Sequence, residues 1–237
     1  MKFFNKLRNK AMSKKRIGKY LAYAVGEIIL VVIGILIAVS INDYQKEKSD
    51  REELNRILSL VKKDMLNDIK LLKEVLYDFK YNEKLMSKML DDSINNSEYL
   101  YKCYACRYIL SEYSTMSINT KGRNLLKTYN RVPIDKRPLV DSINLFYDNY
   151  IDHIDMNNQF MKDEIIEFNK YLRDNKTWFK AYFNDGRCNE DCANYFKSQE
   201  YLNRITLANA VISDALIPYF ESYKIDAEKY IESIDKL

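Results

Sequence analysis

The 237-residue chain is 47 % hydrophobic and holds only five glycines and three prolines, which excludes bulk disorder and turn-rich all-β folds. Its net charge of +4 is unevenly placed: residues 1–19 carry eight basic side chains and no acid, leaving 30 basic against 34 acidic side chains in the rest. A basic tail can bind nucleic acid, but this one abuts an apolar segment, so we expect membrane lipids and no nucleic acid as its partner.

That segment runs between Lys19 and Asp43, and Glu27 is its single charged residue. As a helix it would rise roughly 35 Å, enough to cross a hydrocarbon core of about 30 Å with some tilt. Cations on one flank and a mixed stretch from Asp43 to Glu53 on the other put the N-terminus in the cytoplasm under the positive-inside rule. The expected organisation is a basic cytoplasmic or interfacial segment at 1–19, a transmembrane helix at 20–42 and an exported, periplasmic domain at 43–237. Ala38-Val39-Ser40 could be a signal-peptidase site, but the apolar run is long for a signal peptide. Phe3, Phe4 and Leu7, interleaved with Lys2, Lys6 and Arg8, suit either an interfacial helix or an unstructured tail.

Glu27 would lie roughly 12 Å into the helix, below the headgroups. It either snorkels back toward the interface or meets a partner. Ala22 and Gly26 are four apart, as are Gly34 and Ala38, and small residues at that spacing let two helices approach closely. We expect oligomerisation through Ala22, Gly26, Gly34 and Ala38, with Glu27 at the contact, or an envelope protein as partner.

The run KYLAYAVGEIILVVIGILIAVSIND resembles the N-terminal signature of an uncharacterised family of bacterial membrane proteins associated with Bacteroidota. Its members share a basic amphipathic start and a Gly-Glu-Ile…Leu-Val-Val-Ile-Gly-Ile-Leu-Ile-Ala…Ile-Asn run, matched here by Gly26 to Asn42 over about 45 residues with the flanks. Members usually follow Ile-Asn with Trp, whereas this chain has Tyr44 two residues beyond Asn42. Farther on the resemblance is only to long helices around a glycine-bearing connection, here Gly122. It implies no activity.

The rest of the pattern is all-α. Leu54, Leu58, Val61, Met65, Ile69, Leu72, Leu76 and Phe79 recur every three or four residues, the stripe of a bundle helix. DDSINNSE at 91–98 breaks it. A second helix is expected from Glu98 to Tyr113, a connection over Ser114–Asn119 and a short helix over Lys121–Tyr129. After the turn NRVPIDKRP, with Asp135 as N-cap, a long helix spans 136–172 with Leu139, Ile143, Phe146, Tyr150, Ile154, Met161, Ile165 and Phe168 inward. Residues 173–195 read as irregular. The last helix starts near Ser198, buries Leu202, Ile205, Ala208, Ile212, Leu216, Phe220 and Tyr223, and should kink or split near Leu216 because of Pro218. The expectation is an antiparallel bundle of about four long helices continuing from the transmembrane helix, with the 20 tyrosines in its half-buried seams.

Four cysteines form two close pairs, Cys103/Cys106 and Cys188/Cys192. A structural disulfide staple fits an exported domain. If the segments lie antiparallel, Cys103–Cys192 and Cys106–Cys188 would be the rungs. A four-thiolate zinc site, a redox-active CxxC and free thiols remain as alternatives. The single histidine, His153, is expected on a surface or seam. No Ser/His/Asp set, phosphate loop or HExxH motif can be assembled, and one histidine cannot supply a di-iron bundle. Catalytic, cofactor and metal residues are therefore expected to be none. The function expected is a non-enzymatic interaction or scaffold subunit of an envelope complex. The alternatives are a ligand-sensing ectodomain, or an oligomeric membrane effector or channel component with Glu27 in the membrane.

Overall fold

A computed structural model describes residues 14–91, 103–111 and 114–237. Every regular element among the described residues is helical. The order is α1 (Lys14–Leu90), α2 (Tyr104–Tyr108), α3 (Lys121–Thr128), a 3₁₀ turn (Ile134–Lys136), α4 (Arg137–Asn175), α5 (Phe179–Asp185), α6 (Glu190–Tyr195), α7 (Gln199–Ala210), a π-helical segment (Val211–Leu216) and α8 (Ile217–Asp235). The chain divides into two units, Met1–Glu53 and Leu54–Leu237.

In the first unit, the apolar side chains from Leu21 to Ile41 are exposed. No atom lies within 4 Å of a Cβ built on Gly26 or Gly34.

The second unit is a helical bundle. Long helices form because nothing interrupts their stripes: the part of α1 after Glu53 buries Leu54, Leu58, Val61, Met65, Ile69, Leu72 and Phe79. Each such side chain removed from water contributes about 1.5–3 kcal/mol. Helix α8 runs antiparallel to α1, with Lys62 paired to Asp235, Tyr223 bonded to Asp68 and Phe79 against Phe220 at 5.8 Å. Helix α4 is antiparallel to α7 and α8, from Tyr230 bonded to Ser142 through His153 on Tyr219 to Tyr171 bonded to Glu200. Arg204 of α7 bridges Glu164 and Glu167 of α4 at 3.7 and 3.6 Å.

Of the expected second helix, residues 98–102 and 112–113 lie outside the described residues, and between them only Tyr104–Tyr108 is α-helical. Three other expectations are corrected. Residues 173–195 are not irregular: they hold α5 and α6. Gly186, at φ +64°, closes α5, a left-handed cap that glycine adopts without a Cβ clash. Asn189 opens α6 by accepting the Cys192 N–H on its side chain. Second, Asp135 is not the N-cap of the long helix. A 3₁₀ turn takes up that residue, the cap position is Lys136, and Pro138 occupies the first turn, where a missing N–H costs nothing. Third, tyrosine is not confined to the seams: Tyr147, Tyr182, Tyr201 and Tyr223 are fully buried.

Two acids sit inside the core. Asp64 and Asp68 are 5 % and 0 % exposed, and both are spent on the connection that leads into α3. Asp68 accepts the Asn119 backbone N–H at 3.2 Å on both oxygens, the Asn119 side-chain amide at 2.5 Å and the Tyr223 hydroxyl at 2.6 Å. Asp64 accepts the Gly122 N–H at 2.7 Å. These donors satisfy buried carboxylates that would otherwise be very costly. They also bring α3 so close to α1 that a Cβ on Gly122 would lie 2.5 Å from the Val61 nitrogen and 2.7 Å from its Cα. Burial lifts the Asp68 carboxyl to about 6, against the hydrogen bonds from Tyr223 and Asn119 that pull it down.

Two measurements test this junction. Gly122→Ala forces two backbones apart and should destabilise the bundle by roughly 3 kcal/mol, the upper range for overpacking; chemical denaturation measures it, and a loss below about 0.5 kcal/mol, ordinary for a surface change, would contradict the close approach. For Asp68, an acid whose folded value is raised from 3.8 to about 6 favours folding fully below pH 4, and that contribution is lost as pH rises through 6. Relative to Asp68→Asn, the wild-type chain should lose on the order of 3 kcal/mol between pH 4 and pH 7. A difference that stays flat across that range would show that the side chain is not desolvated.

Candidate functional site

An open cavity of about 580 Å³ lies between α4 and the π segment with α8. Its position comes from Pro218. A proline at that point has no N–H to offer the carbonyl four residues back, and its ring crowds that carbonyl. The helix answers by widening to π geometry over Val211–Leu216 before resuming at Ile217. Such bulges re-aim side chains and are frequent at functional sites.

The floor is aromatic: Phe146, Tyr150, Tyr219 and Tyr230 line it. His153 stacks on Tyr219 with centroids 4.9 Å apart and a 16° tilt, so the one histidine is an exposed wall of this groove. Around the floor stand Ser142, Asn149, Asp214, Ser222 and Asp226. Tyr150 donates to Asp226 at 2.8 Å, and Lys229 donates to its other oxygen at 2.8 Å. Lys229, then Tyr150, hold Asp226 below the usual carboxylate range. Burial first, and Asp226 second, push the Tyr150 hydroxyl up, so it remains a donor. The groove can therefore stack a planar or ring-bearing molecule and bond to its rim through hydroxyls, an amide and carboxylates.

A second site surrounds the cysteines. Both disulfides are local: Cys103–Cys106 and Cys188–Cys192, each with Cα atoms 5.3 Å apart. The cross-linked rungs Cys103–Cys192 and Cys106–Cys188 are thus corrected, and with them the four-thiolate and free-thiol alternatives. The reason is local backbone. Cys103 stands at the cap of α2, outside helical φ/ψ, and Cys188 just precedes the cap of α6, so each folds back onto its own first turn.

The task expected of the rungs, holding α2 to the 173–195 region, falls to tyrosines. Tyr108 donates to the Tyr182 carbonyl at 2.8 Å and Tyr182 to the Arg107 carbonyl at 2.8 Å, while Tyr201 donates to the Cys106 carbonyl at 2.8 Å. Tyr108 also stacks on Tyr104 and on Tyr182, at 4.4 and 4.8 Å. A five-residue helix leaves its carbonyls unpaired, and two of these hydroxyls pair with them. Burial raises the Tyr201 and Tyr108 hydroxyls well above their ordinary value, so both stay protonated.

Among the expected membrane residues, Ala22, Glu27, Gly34 and Ala38 are exposed and Gly26 half-exposed on α1. Asp64 and Asp68 were missed. For Asp68 the signal was present: counted by strict alternation of four and three, the stripe reads 54, 58, 61, 65, 68, 72, 75, 79, which adds Asp68 and Val75 to the core beside the buried Ile69.

Comparison with known families places residues 27–128 in a match to a family described as a family of unknown function (DUF6090). It takes in Glu27, the apolar part of α1, the acidic pair, Cys103 and Cys106, and Gly122. The resemblance to an uncharacterised family is thereby supported. No curated protein and no solved structure matches the chain. Among the described residues, one helix is long and apolar enough to cross a membrane, by length and composition.

Proposed function

We propose that the chain is a single-pass protein of a bacterial inner membrane, with a cytoplasmic N-terminus and a periplasmic helical bundle. It acts without catalysis, as an interaction or scaffold subunit of an envelope assembly. The observation that carries this reading is the continuous uncovered apolar surface from Leu21 to Ile41, next to the eight cations of residues 1–19. Water tolerates neither so large an apolar patch nor its persistence on every face of a helix. Two disulfides support an oxidising compartment for the bundle. The run Gly26 to Asn42 resembles the signature of a family associated with Bacteroidota, a likeness that supports the bacterial envelope. Bare backbone at Gly26 and Gly34 supports close packing of a second copy, or of a partner's helix, with Glu27 at the contact.

Cross-linking in native membranes tests it. The wild-type chain should give a discrete dimer or higher species that Gly26→Leu and Gly34→Leu reduce at least about tenfold, roughly 1.4 kcal/mol of association. A probe fused after Leu237 should report the periplasm. A probe seen only from the cytosol, or a monomer unaffected by either leucine, would sink the reading.

The groove on the π segment favours a second reading, a ligand-sensing ectodomain whose signal passes to a membrane partner. At about 580 Å³ it lies within the usual range of about 300–1,000 Å³ for small-molecule sites. Screening of aromatic, heterocyclic and sugar compounds by thermal shift should find a stabilising ligand whose effect disappears in Tyr219→Ala. Stabilisation that persists undiminished in that variant would remove the groove from the account.

A further inference from the structure

We propose that Cys103–Cys106 is an exchangeable disulfide, built to trade electrons with a protein or peptide dithiol, while Cys188–Cys192 is structural. The two pairs differ in spacing, with sequence separations of 3 and 4, and in one hydrogen bond. In the first, the Cys106 backbone N–H donates to Cys103 Sγ at 3.1 Å. In the second, the corresponding Cys192 N–H is taken by the Asn189 side chain at 3.0 Å. A backbone N–H aimed at a sulfur stabilises the thiolate there, and thiolate stability sets both reactivity and leaving-group quality.

Exposure adds direction. Cys106 is 1 % exposed, whereas Cys103 is half-buried; Cys192 and Cys188 repeat the pattern, so exposure says which sulfur is attacked and the hydrogen bond separates the pairs. The residues between them, Tyr104 and Ala105, form one wall of a groove of about 360 Å³ completed by Asp78, Tyr81, Asn82 and Ser114. The groove adjoins the disulfide through Tyr104 and Ala105, and Cys103 does not itself line it. The tyrosine bonds to the Cys106 and Arg107 carbonyls hold α2 in place independently of its disulfide, so opening the bond does not require unfolding the turn.

The exchange balances in atoms and electrons. A partner thiolate attacks Cys103 Sγ; the Cys103–Cys106 bond breaks, and the Cys106 thiolate leaves and takes up a proton. The partner's second thiolate then attacks its own sulfur in the mixed disulfide and displaces Cys103 as a thiolate facing the Cys106 N–H. The partner loses two electrons and becomes a disulfide; Cys103 and Cys106 gain them as a dithiol, and the two thiol protons pass to them or to solvent. None of this needs the membrane assignment.

The full-length protein in detergent, equilibrated in graded mixtures of reduced and oxidised glutathione and quenched by alkylation, tests the inference by peptide mass spectrometry. Cys103–Cys106 should open at a reduced-to-oxidised ratio at least about tenfold lower than Cys188–Cys192, with circular dichroism unchanged. The variant Cys106→Ser keeps the N–H that faces Cys103. Its Cys103 should form a mixed disulfide with oxidised glutathione faster than Cys188 does in Cys192→Ser, with half-maximal rate at a pH below the ordinary thiol value of about 8.5. Simultaneous opening of both pairs, or opening only with loss of helicity, would overturn the proposal. So would a Cys103 that titrates at or above the ordinary value.

Discussion

The bundle depends on two carboxylates that a core should not contain. Asp64 and Asp68 lie a turn apart on α1 and turn that helix into a receptor for the connection before α3. Removing water from a carboxylate is costly, and only a full set of donors recovers the cost. Here the donors come from Asn119, Gly122 and, across the bundle, Tyr223. Three segments far apart in the chain thus meet at one charge. Apolar packing alone would let α3 slide along α1; the directional bonds fix its register, and the absent side chain at Gly122 lets the two backbones touch.

The helices themselves were legible because periodicity and punctuation agree. The stripe on α1, the cap at Ser198 and the break caused by Pro218 were each readable from local residues. What was not legible was where local rules have more than one outlet. Pro218 predicts a kink or a split, and the chain chose a third response with the same cause, a widened π turn. Cysteine spacing allows rungs or local loops, and the backbone at Cys103 and Asn189 decides for loops. That decision depends on cap geometry, which spacing does not encode. The buried acids were hidden by assuming that a seam is apolar: Ile69 is in the core as expected, and Asp68 beside it is buried too.

The tyrosines explain how a region of short helices holds together. A hydroxyl at the end of an aromatic ring does two tasks at once. The ring fills the core, and the oxygen reaches a carbonyl that a short helix cannot pair internally. Tyr108 and Tyr182 do this reciprocally. The arrangement leaves the disulfides free of the load they were expected to bear, which is what makes a reducible one tolerable. The groove on the π segment uses the same residue type for another end, with Tyr150, Tyr219 and Tyr230 as floor and a single histidine as wall. Nothing in the spacing of those residues announced it, because the segment that brings Asp214 beside them is displaced by the bulge.

The family match ends at residue 128, and the physics of the acidic pair bears on that boundary. Residues 27–128 contain both acids, the connection they bind and Gly122. They do not contain Tyr223, whose hydroxyl donates to Asp68 at 2.6 Å, nor α4, whose Arg137–Asn175 span provides Phe146 and Tyr147 for the core. A segment ending at 128 would expose a half-satisfied carboxylate and one face of a stripe. Burying this segment in a core requires a donor for that acid and an apolar cover for that face. In this chain α4 and α8 provide both, so the residues beyond 128 complete the core that the matched segment begins.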